Sequence, residues 1–327
     1  MKKIFTAFFT VCALFGLAVV AADASAQPYP SKSITLIVGT APGGGFDLVA
    51  RRLEKAMSKH LGQTMVVANR PGSGSLVGTM AVLNAPPDGY TLAMGGLSNI
   101  VFNGALYKKL PYDPLTDFVG IGIVAESPYV MIARRDLGIS DLPGIIKFAR
   151  ANPGKLNVAT AGSGTGQQVL AAAFLKETGV NIVQVPYQGA QPAYTDMLGG
   201  RVDLFIDTLP SARRFIDSKQ VHALFVTGTK RDAAFPAIPT AREVGFAGVE
   251  MTSWFGLFAP AKAPPEVIQR LNKAMELSLA DEELRAQLSA GGFEPKPWVP
   301  PAETARFVQA EYKKWTQVIK EAGITLD

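Results

Sequence analysis

The chain has 327 residues, of which 48% are hydrophobic and 18% charged, and its formal net charge is +5. This mild positive charge suits attraction of anionic solutes. Because the basic residues are scattered and not interleaved with aromatic residues, the composition argues against a nucleic-acid-binding groove.

The first 26 residues have the pattern of a secretory signal. Lys2 and Lys3 precede an apolar run over residues 4–22, and Ala24-Ser25-Ala26 supplies a small-x-small cleavage site. We predict that residues 1–26 are a signal peptide and that the mature chain is periplasmic. An uncleaved membrane anchor is the alternative.

The mature chain would contain no cysteine, because the single cysteine of the sequence, Cys12, lies within the signal. Disulfides, thiolate catalysis and cysteine metal ligation are therefore excluded. The remaining chain of about 300 residues is long enough for two α/β domains.

The first mature element predicts a seat for an anion. The apolar run Ile34–Val38 leads through Pro42-Gly43-Gly44-Gly45-Phe46-Asp47 into a helical pattern that starts at Leu48. A strand that turns through glycines into a helix leaves the first N–H groups of the helix unpaired at the positive end of its dipole. Candidate ligand-binding residues here are Gly44, Gly45, Phe46 and Asp47.

Strands and helices then alternate. Met65–Val67 and Tyr90–Met94 read as strands, with a helix to about Asn84 between them. This alternation predicts a mostly parallel sheet, which binds ligands beyond the carboxyl ends of its strands. Ser98 and Asn99 follow the second strand and are candidates at that edge.

A second anion seat follows about 120 residues after the first, in the manner of an internal repeat. The strand-like Leu156–Thr160 leads into Gly162-Ser163-Gly164-Thr165-Gly166-Gln167-Gln168 and a further helix. Two such seats facing one another would hold a small carboxylate. The candidates from this loop are Ser163, Gly164, Thr165, Gly166, Gln167 and Gln168.

Two long apolar passages interrupt the alternation, at residues 121–132 and 252–259. They predict crossover strands that leave the first domain and return to it, which would form a hinge. The resulting domains are 27–125 plus 253–327 for the first and 126–252 for the second.

Enzymatic readings find little support. The histidines are His60 and His222, and Gly-x-Ser-x-Gly is absent, so a Ser-His-Asp site is disfavoured. The Gly162–Gly166 loop departs from the dinucleotide fingerprint, and no acidic residue ends the next strand. We expect no cofactor and no metal.

Seven ordered motifs resemble the Bug-type extracytoplasmic receptors, the substrate-binding proteins of tripartite tricarboxylate transporters. They cover nearly all of the mature chain, and each alone is weak, whereas the ordered set is specific. The motifs are PGGGFD (42–47), NRPG (69–72), PDGYTL (87–92), LPYDP (110–114), VPYQG (185–189), DMLGGRVDL (196–204) and SWFGLFAP (253–260).

The resemblance implies a two-lobed α/β periplasmic binding protein, type II-like, that closes over a small organic carboxylate and delivers it to membrane permease subunits. It implies that the loops 44–47 and 163–168 hold one carboxylate through backbone N–H groups, hydroxyls and waters, and that the receptor is a monomer. It also favours site roles for Asp207 and Thr208, and for Tyr187, Gln188 and Gly189.

Departures from the family pattern bear on the ligand. Gln188 stands where members commonly have lysine, Gln167-Gln168 where Ser-His is common, and Phe46 where a smaller residue is usual. The loss of lysine and histidine favours a mono- or dicarboxylate, with an aromatic or polar body, over a tricarboxylate.

Several alternatives stay open on the sequence alone. Asp47 and Thr165 could serve only as helix caps, and Asp207 could only orient a loop. A receptor that reports its ligand to a two-component system would have the same fold and site, and an exported enzyme is a more distant alternative.

Overall fold

The computed structural model describes residues 28–326, so the predicted signal peptide lies outside the described residues. Ten strands and ten α-helices alternate through this part of the chain. The strands are β1 (Ile34–Val38), β2 (Met65–Asn69), β3 (Thr91–Gly96), β4 (Phe118–Arg134), β5 (Asn157–Thr160), β6 (Val183–Pro186), β7 (Leu204–Thr208), β8 (Val221–Val226), β9 (Thr252–Pro260) and β10 (Glu294–Pro295).

The helices follow the strands in the order that the sequence predicts. They are α1 (Gly45–Leu61), α2 (Leu76–Leu83), α3 (Asn103–Leu106), α4 (Leu142–Ala151), α5 (Gly166–Thr178), α6 (Ala190–Leu198), α7 (Leu209–Asp217), α8 (Pro265–Ala280), α9 (Glu282–Ala290) and α10 (Pro301–Ala322). A π-helical segment, Leu97–Phe102, joins β3 to α3. No helix within residues 28–326 has the length and apolarity that a bilayer span requires.

The strands lie in the order β2-β1-β3-β9-β4-β7-β5-β6, with β8 and β10 also paired to β4. The outer strands of each lobe are parallel: β2, β1 and β3 in the first and β6, β5 and β7 in the second. The pairs around β9 and β4 are antiparallel. The predicted parallel sheets are therefore confirmed for the outer strands, while antiparallel pairs connect them at the centre.

Strands β4 and β9 are the two crossovers. β4 pairs with β9 from Phe118 to Pro128 and with β7 from Tyr129 to Ala133, so one strand continues from the first lobe into the second. The polypeptide returns to the first lobe through β9, which also pairs with β3. Two strands thus link the lobes.

Successive side chains on β9 point to opposite faces of the sheet. Ser253 faces the cleft between the lobes, whereas Trp254 points to the other face, where its indole N–H donates to the Glu311 carboxylate at 3.2 Å. Trp254 is therefore part of the packing behind the hinge. Ser253 belongs to the cleft.

Both lobes have buried cores that fix their helices. In the first lobe α1 packs against α8 and α9, and the last helix, α10, buries Val308, Trp315 and Ile319. Near its end, α10 also reaches the second lobe, where the Lys176 ammonium donates to the Glu321 carbonyl at 2.6 Å. These cores therefore hold in place the helix N-termini that lie at the carboxyl ends of the strands.

Candidate functional site

The space between the lobes contains two adjoining cavities. A deep cavity of about 40 Å³ lies against the crossover strands, and an outer cavity of about 410 Å³ lies toward the rim. They share part of their lining, and both draw residues from both lobes. The shared residues are Thr40, Ala41, Ala161, Thr165 and Gly189.

Four helices begin at the deep cavity. Gly44 and Gly45 open α1, Thr165 opens α5, Gly189 precedes α6 and Thr208 precedes α7. Helix N-termini present N–H groups that precede the helical hydrogen-bond ladder, together with the positive end of the dipole. The sequence predicted two such seats at the cleft, and the fold adds the starts of α6 and α7.

The loop before α1 is held by the side chain of Asp47. The Gly43 N–H donates to one carboxylate oxygen at 2.9 Å, and Arg51 and Asn69 donate to the carboxylate at 3.0 to 3.1 Å. Burial raises the pKa of Asp47, but the hydrogen bonds from Arg51, Gly43 and Asn69 outweigh it and lower the pKa below its usual value. Asp47 therefore fixes the loop from behind and does not line either cavity.

The loop before α5 is held in the same way by neutral groups. The Gly164 N–H donates to the Gln168 side-chain oxygen at 2.7 Å, and the Thr165 hydroxyl donates to the Gly162 carbonyl at 2.6 Å. The Thr165 oxygen also caps α5 by accepting from the Gln168 N–H at 3.4 Å. Thr165 faces both cavities while it caps the helix.

The first residue of each of these helices is a glycine that other groups approach closely. A methyl group on Gly166 would overlap the hydroxyl and ring of Tyr129, a side chain that lines the deep cavity. A methyl group on Gly45 would lie 3.0 Å from the Phe255 ring and 3.2 Å from the Thr208 hydroxyl. The missing side chains let the two helix starts approach the crossover strands.

Asp207 is the charged residue of the deep cavity. It is 1% exposed and accepts hydrogen bonds from the Thr208 N–H at 2.8 Å, the Tyr194 hydroxyl at 3.0 Å and the Gln167 amide at 3.2 Å. Burial raises its pKa to about 6, and the three donors oppose that shift. Among the described residues lining the two cavities, none is a lysine, arginine or histidine.

The outer cavity is polar and uncharged. From the first lobe it takes the second strand-to-helix loop, residues 71–75, and from the second lobe Ser163 and the segment Pro186–Gly189. The Tyr187 hydroxyl donates to the Asp196 carboxylate at 2.8 Å, which holds the ring at the rim. Burial, followed by Asp196, raises the pKa of Tyr187 to about 12.

The structure brings most of the predicted site residues together. The deep cavity is lined by Gly44, Gly45, Phe46, Ser98, Thr165, Gln167, Gly189, Asp207 and Thr208, and the outer cavity by Ser163, Thr165, Tyr187, Gln188 and Gly189. Contact of these residues with a ligand stays a prediction.

Five predicted residues lie behind the cavity walls. Asp47, Gln168 and Gly164 form the hydrogen bonds that shape the two loops, and Gly166 packs against Tyr129. The Asn99 side chain accepts from the Gly96 N–H at 3.1 Å, so it shapes the π-helical segment. These residues shape the loop backbone next to the cavities and do not line either cavity themselves.

Sequence reasoning missed other lining residues. Tyr129 and Ser253 lie on the crossover strands, and their contact with the cleft depends on strand pairing between the lobes. Ser73 and Ser75 follow β2 in a loop that opens α2. The rule that ligands bind beyond the carboxyl ends of parallel strands could have identified these two serines.

Comparison with known proteins assigns the family. Residues 49–324 match the model of the tripartite tricarboxylate transporter family receptor. Among solved structures, periplasmic binding protein BugD is 33% identical, with 91% of this chain and 99% of that chain covered and a TM-score of 0.86.

Two similar structures contain carboxylates. Rpa4515 from R. palustris with adipate is 32% identical, covers 91% of this chain and 99% of its own, and has a TM-score of 0.85. MatC from Rhodopseudomonas palustris with bound malate is 32% identical, covers 89% of this chain and 100% of its own, and has a TM-score of 0.84. This chain belongs to the tripartite tricarboxylate transporter receptor family, whose members are solute-binding receptors of the Bug type.

Proposed function

We propose that this protein is a periplasmic receptor that captures a mono- or dicarboxylate between its lobes and delivers it to the membrane subunits of a tripartite tricarboxylate-type transporter. It acts by binding and not by catalysis. The single observation that carries the proposal is the convergence of four helix N-termini on one buried cavity.

The electrostatics of the deep cavity favour an anion held by main-chain groups. The starts of α1 and α5 contribute N–H donors whose loops are held by Asp47 and Gln168, so little reorganisation is needed there on binding. Hydrogen bonds to a charged group are worth about 1.5–3 kcal/mol each, and three or four of them supply much of the roughly 8 kcal/mol of a micromolar complex. No cationic side chain is required.

The outer cavity accommodates the rest of the ligand. Its walls carry hydroxyl, amide and aromatic groups, including Ser73, Gln188 and Tyr187, but no cation. These walls suit an uncharged polar or aromatic body, or a second carboxylate that is partly solvated. Adipate and malate in two relatives support a carboxylate of this size.

The proposed division of the chain follows the crossovers. Residues 27–125 plus 253–327 form the first lobe and residues 126–252 the second, with β4 and β9 as the hinge. Residues 1–26 direct export and are removed. The mature receptor functions as a monomer that closes on its ligand.

A thermal-shift panel on protein lacking residues 1–26 tests the proposal. Mono-, di- and tricarboxylic acids, including adipate and malate, are each added to the mature protein. An acid present at a hundred times its dissociation constant should add about 2.7 kcal/mol to the free energy of unfolding. A panel in which no carboxylate raises the melting temperature contradicts the proposal.

Two variants, each with one alanine replaced by leucine, test whether the ligand binds in the cleft. Ala161→Leu places a larger side chain in the lining that the two cavities share, so it should abolish the ligand-induced shift. Ala234→Leu makes the same change at an exposed position of the second lobe and should leave the shift intact. Equal shifts in both variants would place the ligand elsewhere.

A further inference from the structure

The deep cavity combines an anion seat with a buried carboxyl group. Asp207 lies at the end of β7, beside the start of α7 and one hydrogen bond from Gln167 in the first turn of α5. Because the cavity is only about 40 Å³, a carboxylate seated at the helix starts lies close to Asp207. Binding therefore requires that the repulsion between the ligand carboxylate and an ionised Asp207 be offset.

The hydrogen bonds of Asp207 leave one acceptor position open. An ionised carboxyl group accepts about four hydrogen bonds. Oδ1 accepts from the Thr208 N–H and the Gln167 amide, whereas the contact of Oδ2 is with the Tyr194 hydroxyl. The remaining position of Oδ2 can take a donor from a ligand.

Two adjacent carboxylates in a buried site cannot both stay ionised without cost. Like charges that share a site raise the pKa of one of them strongly, unless a proton or another donor lies between them. Of the lining residues that the structure describes, none is a cationic side chain that could offset the repulsion. A proton taken up by Asp207, or a donor group of the ligand, would remove the repulsion.

Resting on the proposed function, we propose that Asp207 is a specificity-determining residue of this site. It selects carboxylates that carry a hydroxyl or ammonium group near the bound carboxylate, because that group donates to Asp207. A carboxylate without such a donor binds only when Asp207 takes up a proton.

The surroundings of Asp207 allow this proton uptake near neutral pH. Burial, its largest influence, raises the Asp207 pKa to about 6. The other titratable groups that face it are the phenols of Tyr194 on α6 and Tyr129 on β4, and burial raises the pKa of both. Arg214 on α7 opposes this effect on the pKa of Tyr194.

Matched pairs of acids test the inference by calorimetry. Malate and succinate, 2-hydroxyadipate and adipate, and 3-phenyllactate and 3-phenylpropionate differ within each pair by a hydroxyl group. Between about pH 6.5 and about pH 8.5, the hydroxy acids should keep their affinity, whereas the donor-free acids should weaken by up to about tenfold for each pH unit. At the upper end the hydroxy acid of a binding pair should be favoured by about tenfold or more.

Asp207→Asn removes the charge and retains the shape. In this variant the donor-free acids should bind without pH dependence, and the preference within a pair should fall to about threefold or less. Tyr194→Phe removes one donor to the ionised carboxyl, so the pH response of the donor-free acids should move to higher pH. Asp217→Asn, an exposed carboxyl change on α7, is the control and should behave as the wild type.

The outcomes separate the two proposals. If wild-type protein binds both members of a pair equally and without pH dependence, the role of Asp207 is wrong while the receptor function stands. The same holds if Asp207→Asn keeps the wild-type preference and pH slope, and Tyr194→Phe provides the second reading if Asp207→Asn does not fold. If no acid in the earlier panel binds, the proposed function itself fails.

Discussion

The two loops that open α1 and α5 share one local design. In each, a glycine in the left-handed region comes two residues before the helix, Gly43 with φ 85° and Gly164 with φ 77°. Its N–H donates to the side chain four residues later, Asp47 in one loop and Gln168 in the other. A glycine is also the first helical residue in both.

The bracing groups differ in charge. Asp47 is ionised and accepts hydrogen bonds from Arg51 and Asn69 behind the first loop, whereas Gln168 is neutral. The backbone that faces the cavity is nevertheless arranged alike. The same direction of the loop N–H groups is thus reached with a charged side chain where Arg51 lies behind the loop and with a neutral one in the other loop.

The largest expected effect comes from adding a methyl group at the start of a helix. Gly166→Ala should lower ligand affinity by at least about 30-fold and the free energy of unfolding by about 1–3 kcal/mol, because the methyl group overlaps Tyr129. Gly45→Ala should have a smaller effect, since its contacts begin at 3.0 Å. Calorimetric titration and urea unfolding measure both quantities.

A double substitution shows whether the overlap is responsible. Tyr129→Phe removes the hydroxyl that the new methyl group meets, so Gly166→Ala should cost less stability in that background. Strictly additive losses would mean that Gly166 is required for another reason.

Removing the side chain that holds each loop should lower the free energy of unfolding more for the loop before α1, held by the charged Asp47, than for the loop before α5, held by the neutral Gln168. Asp47→Ala removes the acceptor of the Gly43 N–H and of Arg51 and should cost about 2–3 kcal/mol, whereas Gln168→Ala leaves the Gly164 N–H without its acceptor and should cost about 1–2 kcal/mol. Urea unfolding at pH 7 measures both. Equal losses would remove the distinction between the loops.

The stability contributed by Asp47 should depend on acid pH, whereas that contributed by Gln168 should not. Since the pKa of Asp47 is lower in the folded than in the unfolded chain, its stabilisation is complete above about pH 4 and declines as the pH falls through the folded value. The loss caused by Asp47→Ala should therefore shrink between pH 7 and about pH 3, while that of Gln168→Ala stays constant. A constant loss for Asp47→Ala would show that its charge does not matter.

The smallest expected effect comes from giving α1 the side-chain N-cap that α5 already has. Gly44 precedes α1 without a side-chain cap, in an extended conformation, and a methyl group there would have its nearest neighbour at 4.0 Å. Gly44→Ser should supply the cap that Thr165 gives α5 and stabilise the protein by about 0.2–0.5 kcal/mol. A lower melting temperature would show that the serine cannot adopt the cap geometry.

Much of this site follows from local sequence. The glycine turns after apolar runs predicted both anion seats, because a strand, a turn and a helix start are set by residues close together in the chain. The side chains of Asp47, Gln168 and Asn99 accept hydrogen bonds from the backbone of their own segments, which sequence could not show, because it cannot tell whether a polar side chain turns toward the cleft or back onto its own loop. Ligand contact by these residues stays a prediction.

The strand alternation and the two crossovers could also be predicted, whereas the pairing between lobes could not. Tyr129 and Ser253 enter the cavity because β4 pairs with β9 and then with β7, placing Ser253 opposite Ser127 and Tyr129 opposite Thr208. Register is a long-range property, and a shift of one residue would turn Ser253 away and Trp254 inward.

The sequence by itself determined the strand–helix order, the family and the two glycine-rich helix starts, since these depend on local propensity and ordered motifs. Only the tertiary structure decided that four helix starts converge, that none of the described residues lining the cavity is cationic, and that Asp207 is buried beside those helix starts. The reason is that burial and electrostatic environment come from segments far apart in the chain, which meet only when both lobes pack around the crossover strands.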